Sequence, residues 1–382
     1  MKMNKFLLLP ACASLLSSAA WLQASPLYSV GDNLDIFFDG SSSLRWSSNV
    51  FRDDSNEVDD LIWTVKPGFE FNFGRGASNA DLVLGASYEV LRYNDRSDLD
   101  AELAHVNALG SYESARLVVS GSASFDERQS SSSDLGDVNL DANLARSEVV
   151  DAGFDAEYQY SSKFSFGFGV NYNDVKYVDV DEGDFADTEV VTLPFDVFYE
   201  LTPKLDLSLG YINRESDVEG GAAGDYDKTT EFYNVGLRGD LLPKLNGSLK
   251  FGYIDDDRAD DGMFGADLNL SYAVSQKLTS SLLLSRDYSV GGTGETIEKN
   301  SVTVRANYAI DAKYSVSGNL GYEQRDYAAR EDDQYSLGLR LSYKLDQNWL
   351  LGAGYTYSET DSSLATSDYT DHSLSISASL RY

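Results

Sequence analysis

The chain has 382 residues and a formal charge of −32, set by 62 Asp and Glu against 30 Lys and Arg. That balance excludes a protein that holds nucleic acid through its phosphates. The 25 Tyr, 18 Phe and 4 Trp exclude an acidic disordered chain, which is poor in aromatics.

At the N-terminus, Lys2 and Lys5 precede the apolar run from Phe6 to Leu22, the pattern of a secretory signal peptide. Cleavage is expected after Ala24, dividing the chain into a leader over 1–24 and a mature protein over 25–382. Leu22, three positions before Ser25, is a less usual residue there than Ala. Cys12 stands in Leu9-Pro10-Ala11-Cys12, where Pro10 and the short apolar stretch before it argue against a lipoprotein cleavage box. It is the only cysteine, so the mature chain has no thiol chemistry. Loss of the leader moves the formal charge from −32 to −34. Beyond it, no stretch approaches the roughly 20 apolar residues that a membrane helix requires.

From there to the C-terminus the sequence alternates with a period of two, as strands do when their faces meet different surroundings. Phe164, Phe166, Phe168, Val170 and Tyr172 alternate with Ser165, Gly167, Gly169, Asn171 and Asn173. In the last strand Leu374, Ile376, Ala378, Leu380 and Tyr382 alternate with Ser373, Ser375, Ser377, Ser379 and Arg381. Tight turns are expected at Gly76, Glu113, Ser162, Pro203, Pro243, Gln276, Ala312 and Asp346. Longer polar loops centre on Asp53, Arg96, Ser132, Glu182, Gly220, Asp257, Gly291, Arg330 and Asp361. This parsing yields about 18 strands, with 16 as the alternative, in one antiparallel up-and-down barrel of the all-β class. The strand over Asp98–Ser111 has no cleanly apolar face, and Pro67 and Pro194 should each bring a bulge or adjustment to their strands.

A soluble sandwich would turn its apolar faces to a shared core, but here those faces are edged by rings. Phe164 and Tyr172, Tyr314 and Tyr322, and Trp349 and Tyr357 are each eight residues apart. Eight tilted strand residues climb roughly 20 Å, close to the apolar band between the aromatic girdles of an outer-membrane barrel. These six and Tyr382 are the expected girdle, and outer-membrane lipid the expected partner.

The opposite faces then line the interior. Alternation sends Arg238, Lys250, Arg305, Arg340 and Lys344 there from the C-terminal half, and Glu89, Asp155, Glu157, Asp196 and Glu200 from the N-terminal half. Basic and acidic walls would set a transverse field across a pore, or the same groups would neutralise one another in a structural network. Barrels of 16 to 18 strands hold water unless plugged, and no plug domain is present. The segment Gln129–Asn143 reads as a surface loop rather than a constriction.

No catalytic residues, cofactor or metal site are assigned. His105 and His372 are the only histidines, and His372 has Asp371 and Ser373 beside it in sequence but on the opposite face. The acidic runs Asp179-Val180-Asp181-Glu182-Gly183-Asp184 and Asp255-Asp256-Asp257 offer oxygen ligands without the spacing of a calcium loop.

Ser48-Asn49-Val50-Phe51-Arg52-Asp53, running into Leu61-Ile62-Trp63-Thr64-Val65-Lys66-Pro67-Gly68, resembles the start of the putative β-barrel porin 2 family. The close match covers about twenty residues and includes Pro67. The resemblance implies an outer-membrane porin of a Gram-negative-type bacterium, without catalytic residues, and a link to exopolysaccharide export proteins or polysaccharide passage. Tyr382 looks like the terminal aromatic by which barrel-assembly machinery recognises its clients. Three functions follow: a channel for small hydrophilic solutes or saccharides, a non-conducting scaffold for an envelope polysaccharide-export complex, and an outer-membrane hydrolase relying on one of the two histidines.

Overall fold

The computed structural model describes residues 24–74, 79–132, 135, 144–179, 184–259 and 261–382. Residues 1–23 of the leader, the turn at Gly76, the loop centre at Glu182 and most of the segment after Ser132 lie outside the described residues. A short β1 (Tyr28–Val30) precedes eighteen long strands. These are β2 (Leu34–Ser47), β3 (Asp60–Phe73), β4 (Ala80–Tyr93), β5 (Ala101–Glu113), β6 (Leu117–Ser131) and β7 (Leu144–Gln159). Next come β8 (Phe164–Val178), β9 (Ala186–Thr202), β10 (Leu205–Gly220), β11 (Tyr226–Leu242), β12 (Leu245–Asp256) and β13 (Met263–Ala273). The last are β14 (Leu278–Val290), β15 (Thr296–Ala309), β16 (Tyr314–Asp326), β17 (Glu331–Lys344), β18 (Trp349–Ser362) and β19 (Tyr369–Arg381).

Each long strand pairs antiparallel with its neighbours in sequence, and β19 pairs with β2 from Ser373 opposite Ser47 to Arg381 opposite Asp39. The sheet is therefore a closed all-β barrel of 18 strands. β1 lies outside the count and continues the line of β19 along the same edge of β2, with Tyr28 opposite Ile36. Between them the Phe38 N–H donates to the Tyr382 carbonyl at 2.7 Å, and the Tyr382 N–H returns a bond at 2.9 Å.

The tight turns and loops alternate as expected, with local corrections. The uncertain strand runs Ala101–Glu113, because residues 97–99 wind into a 3₁₀ turn whose Leu99 is buried. Neither proline makes a bulge. Lys66 and Pro67 drop out of the β3–β4 ladder while the register holds, since Val65 faces Val90 and Gly68 faces Ser87. Likewise Pro194 leaves the β8–β9 ladder open between Phe168–Phe195 and Asn171–Thr192, without a shift. A proline removes one donor and leaves the rest of the ladder in step. The shifts in register occur instead at Leu205/Asp206 and Asp240/Leu242, beside the turns of Pro203 and Pro243.

Arg238 of β11 and Glu157 of β7 meet at 2.7 Å across three intervening strands, about 19 Å of sheet. Only a concave surface allows that, which identifies their face as the interior. By strict pairing the other face carries Leu44, Trp63, Phe69, Phe168, Leu209, Leu320 and Ile376, all exposed. Large apolar side chains left bare around a closed barrel belong against lipid. At the loop end of the interior, Phe51, Ile62, Tyr93 and Leu99 form one apolar cluster and Ile254, Met263 and Tyr288 another, while Phe37, Phe198 and Leu350 are buried nearer the turns.

The seam closes on Arg381. Its guanidinium, 8% exposed, reaches Asp39 at 2.9 Å, bonds Glu70 two strands away and lies 4.1 Å over the Phe37 ring. Removing one partner of a buried ion pair costs about 3–5 kcal/mol. Arg381→Ala is expected to lower the unfolding temperature of the detergent-folded barrel, with Asp39→Asn and Glu70→Gln each having a smaller effect, read by heat-modifiable gel migration.

Candidate functional site

All ten charged residues assigned to the interior by alternation lie on the inner face, but they do not form two opposed walls. Arg238 and Lys250 lie on the same wall as the acids expected to face them. Arg238 makes two 2.7 Å bonds to Glu157 and one of 3.2 Å to Asp206, with its guanidinium 3.3 Å over the Phe198 ring. Lys250 holds both oxygens of Asp196 at 2.9 Å. Along this part of the barrel the network alternative is realised.

Glycines make the network possible. In one ladder row Glu157 faces Gly167, which faces Asp196, then Gly210 and Asn234. A Cβ on Gly210 would lie 2.5 Å from oxygens of both Asp196 and Asn234, and one on Gly236 would lie 3.1 Å from the Lys250 stem. The long side chains lie flat on bare backbone, Lys250 reaching a carboxylate three strands away and Arg238 one four strands away. Asp155 occupies the same kind of space over Gly169, with no cationic partner among the described residues. Glu200 sits near the turns, 3.9 Å from Lys163.

A second inner group surrounds His105. Its Nδ1 lies 2.8 Å from Asp126 and its Nε2 3.3 Å from Glu89, which also takes Lys66 at 3.0 Å. The histidine is clamped between two carboxylates. His372 is on the outer face, where its Nδ1 meets the Tyr355 hydroxyl at 2.9 Å and its ring packs on Tyr357. The two histidines therefore lie on opposite sides of the wall.

Between β14 and β2 the interior differs. Arg305, Asn307, Ser336, Arg340 and Thr356 point inward and are nevertheless exposed, so solvent reaches the middle of the wall from within. Lys344 follows on the same face near the turns.

The girdle residues occupy the outer face in two tiers. Near the turns, Phe164 packs on Tyr199 at 5.1 Å and Tyr314 on Tyr343 at 4.7 Å, with Trp349 and Tyr382 at the same end. Near the loops, Tyr172, Tyr322 and Tyr357 have a property that alternation did not disclose: their hydroxyls donate to Glu189, Asp333 and Glu359. Tyr88, Tyr211 and Tyr233 do the same with Glu102 and Glu231.

At the mouth, the β2–β3 loop folds onto the barrel. Val50 N–H bonds the Val58 carbonyl at 2.8 Å, Arg96 lies 4.7 Å over Phe51, and the Ser131 hydroxyl donates to the Phe51 carbonyl. The β14–β15 loop is braced from Ala186 and Ala222, and Leu135 lies against its Gly292, where an added Cβ would be 2.7 Å from the Leu135 carbonyl. So the segment expected to be a surface loop makes a packed contact at Leu135; residues 133–134 and 136–143 lie outside the described residues. Of the acidic runs, Asp256 is committed to Lys228 at 3.1 Å and Thr230 at 2.7 Å, and Asp257 to the Thr229 N–H at 3.0 Å. The run over 179–184 lies largely outside the described residues.

The family profile described as Putative beta-barrel porin 2 matches residues 40–382. The chain belongs to the putative β-barrel porin 2 family. It is an outer-membrane β-barrel of the porin type, in the outer membrane of a Gram-negative bacterium. Among solved structures it is similar to the vanillate complex of OpdK from Pseudomonas aeruginosa, at 13% identity over 91% of this chain and 99% of that one, with a TM-score of 0.46. OccAB4 of Acinetobacter baumannii is similar at 12% identity, over 93% and 100% of the two chains, with a TM-score of 0.47. The ferric enterobactin receptor PfeA of Pseudomonas aeruginosa, bound to BCV-L6, is similar at 9% identity, over 90% and 81%, with a TM-score of 0.49. No curated protein matches in sequence. Within this porin the short family-like segment from Ser48 to Gly68 forms the folded mouth loop and the first part of strand β3.

Two outcomes test these assignments. Gly210→Val should drive apart Asp196, Asn234 and Lys250 and lower the unfolding temperature, whereas Gly224→Val, at a loop glycine with no atom within 4 Å of an added Cβ, should cost only its positive-φ strain. In the mouth loop, backbone N–H bonds from Ser55 and Asn56 hold the Asp53 carboxyl below its ordinary range. A carboxylate lowered in this way stabilises the folded loop above the unfolded value near 3.9 and loses that contribution as pH falls through the lower folded value. Amide protection at Ser55 and Asn56 should fall over that acid range, and be absent at neutral pH in Asp53→Ala.

Proposed function

We propose that this porin is a passive, water-filled channel for small hydrophilic solutes, saccharides among them. The observation that carries the reading is the inward-pointing, solvent-reached middle of the wall at Arg305, Asn307, Ser336, Arg340 and Thr356. A barrel of this strand number is too wide for side chains to fill. Its polar wall offers hydroxyls and amides in place of the hydration shell of a passing solute. We assign it no catalytic step, since each histidine is engaged on a different side of the wall.

The closure of the barrel by β19, ending at Tyr382, supports recognition of that strand by barrel-assembly machinery. The link to polysaccharide export is an extension of the same reading, supported by the Ser-rich inner face of β19. The packed mouth favours a second function, a non-conducting scaffold for envelope export proteins. Planar-bilayer recording separates the two. Purified, folded protein should give stepwise conductance and admit neutral sugars into liposomes; silence in both assays, together with co-purification of export proteins, would establish the scaffold instead.

A further inference from the structure

The interior carries two populations of cations. Lys66, Arg238, Lys250, Lys299, Arg325 and Arg381 each lie within 3.3 Å of a carboxylate. Arg45, Arg305, Arg340 and Lys344 have no carboxylate partner among the described residues. These four are not scattered. They fall on β2, β15 and β17, within the continuous stretch of wall that runs from β15 through β19 to β2.

Register sets their heights. Arg305 pairs with Asn319 and Asn319 with Gly338, so Arg340 stands two strands away and two residues nearer the turns. Lys344 is the last residue of β17, at the turns. Arg45 shares a ladder row with Ser375, Gly354 and Arg340, and lies two residues from the loop end of β2. With strands tilted roughly 40°, a row climbs about 9 Å over three strands. The cations thus descend through the membrane: Arg45 near the loops, Arg305 and Arg340 midway, and Lys344 at the turns.

The acids of this wall are already engaged. Glu323 is shared by Lys299 and Arg325, Asp39 is held by Arg381, and Asp332 is 3.0 Å from Arg330. Asp371 accepts from the Ser47 hydroxyl at 2.8 Å and the Asn49 N–H at 3.2 Å. The groups around the free cations are hydroxyls and glycines. Arg340 donates to the Ser377 hydroxyl at 3.2 Å and lies over Gly352, where a Cβ would be 2.8 Å from its Nη2. From the far wall the unpartnered Asp155 adds a field that repels anions toward the cations.

Resting on the channel reading, we propose that this stripe is an anion path, and that the favoured solutes carry a carboxylate, as acidic sugars do. Guanidinium groups left unneutralised along a wet wall form charge-assisted bonds with a passing carboxylate. Several such sites in series hold it weakly enough to release it. A surface lined by one sign of charge focuses field along itself, so the stripe acts locally within a chain of net negative charge.

The test is ion selectivity in planar bilayers under a tenfold KCl gradient, with uptake of glucuronate and glucose into liposomes. Wild type should pass chloride over potassium and take up glucuronate. Arg45→Gln/Arg305→Gln/Arg340→Gln should keep stepwise conductance and glucose entry while the chloride-to-potassium ratio falls about tenfold and glucuronate uptake slows. Arg305→Gln alone, at an exposed position without ion-pair contacts, should give a smaller shift in the same direction and serves if the triple variant does not fold. A wild type that prefers potassium, or a ratio unchanged in the variants, would overturn the stripe and leave the channel standing. A wild type with no conductance would overturn both.

Discussion

Everything in this molecule depends on the absence of a free strand edge. Inside a bilayer no water is available to satisfy backbone N–H and C=O groups, so a sheet can cross only if its last strand bonds its first. The β19–β2 seam does this over nine residue pairs, and the exchange between Phe38 and Tyr382 carries the bonding to the final residue. Closure also decides what each side chain meets. Once the sheet is a tube, a period of two becomes a division between lipid and interior, and one residue of slip in any strand would exchange the two.

The interior shows how a wall of one backbone geometry can hold two environments. Where Arg and Lys are supplied with acids and with glycines to lie across, from β7 to β12, charges are drawn into the wall and the network stiffens it. Where Ser, Thr and Asn are common on the inner face, from β15 to β19, Arg305 and Arg340 are left to face water while Lys299, Arg325 and Arg381 stay paired. The difference is one of composition on a common scaffold, since both regions keep unbroken antiparallel ladders apart from the open pairs at the prolines and the shifts at the Pro203 and Pro243 turns.

Alternation and turn residues made the strand number, the closed topology and the face of every assigned charge legible, because those properties are local and repeat along the chain. Which charges pair was not legible. Arg238 and Glu157 are 81 positions apart and meet only through the curvature of the wall, and the role of Gly210 beneath Lys250 and Asp196 depends on ladder register. Of the two outcomes expected at the prolines, a bulge or an adjustment, the second is found: the ladder opens locally and flanking pairs on both sides keep each strand in step. The contact of Leu135 with Gly292 joins loops far apart in sequence, which no local pattern can encode.

The tyrosines of the loop-side girdle have a consequence for how the barrel sits. Five outward carboxylates, Glu102, Glu189, Glu231, Asp333 and Glu359, are tethered to tyrosine hydroxyls just below them, whereas the turn-side aromatics described above have no such acids bonded to them. Sliding toward the periplasm would carry these carboxylates into hydrocarbon, where charge on the lipid face is destabilising. The ring therefore acts as a collar: it fixes immersion depth from one side only, and gives an otherwise nearly symmetrical cylinder a defined waterline.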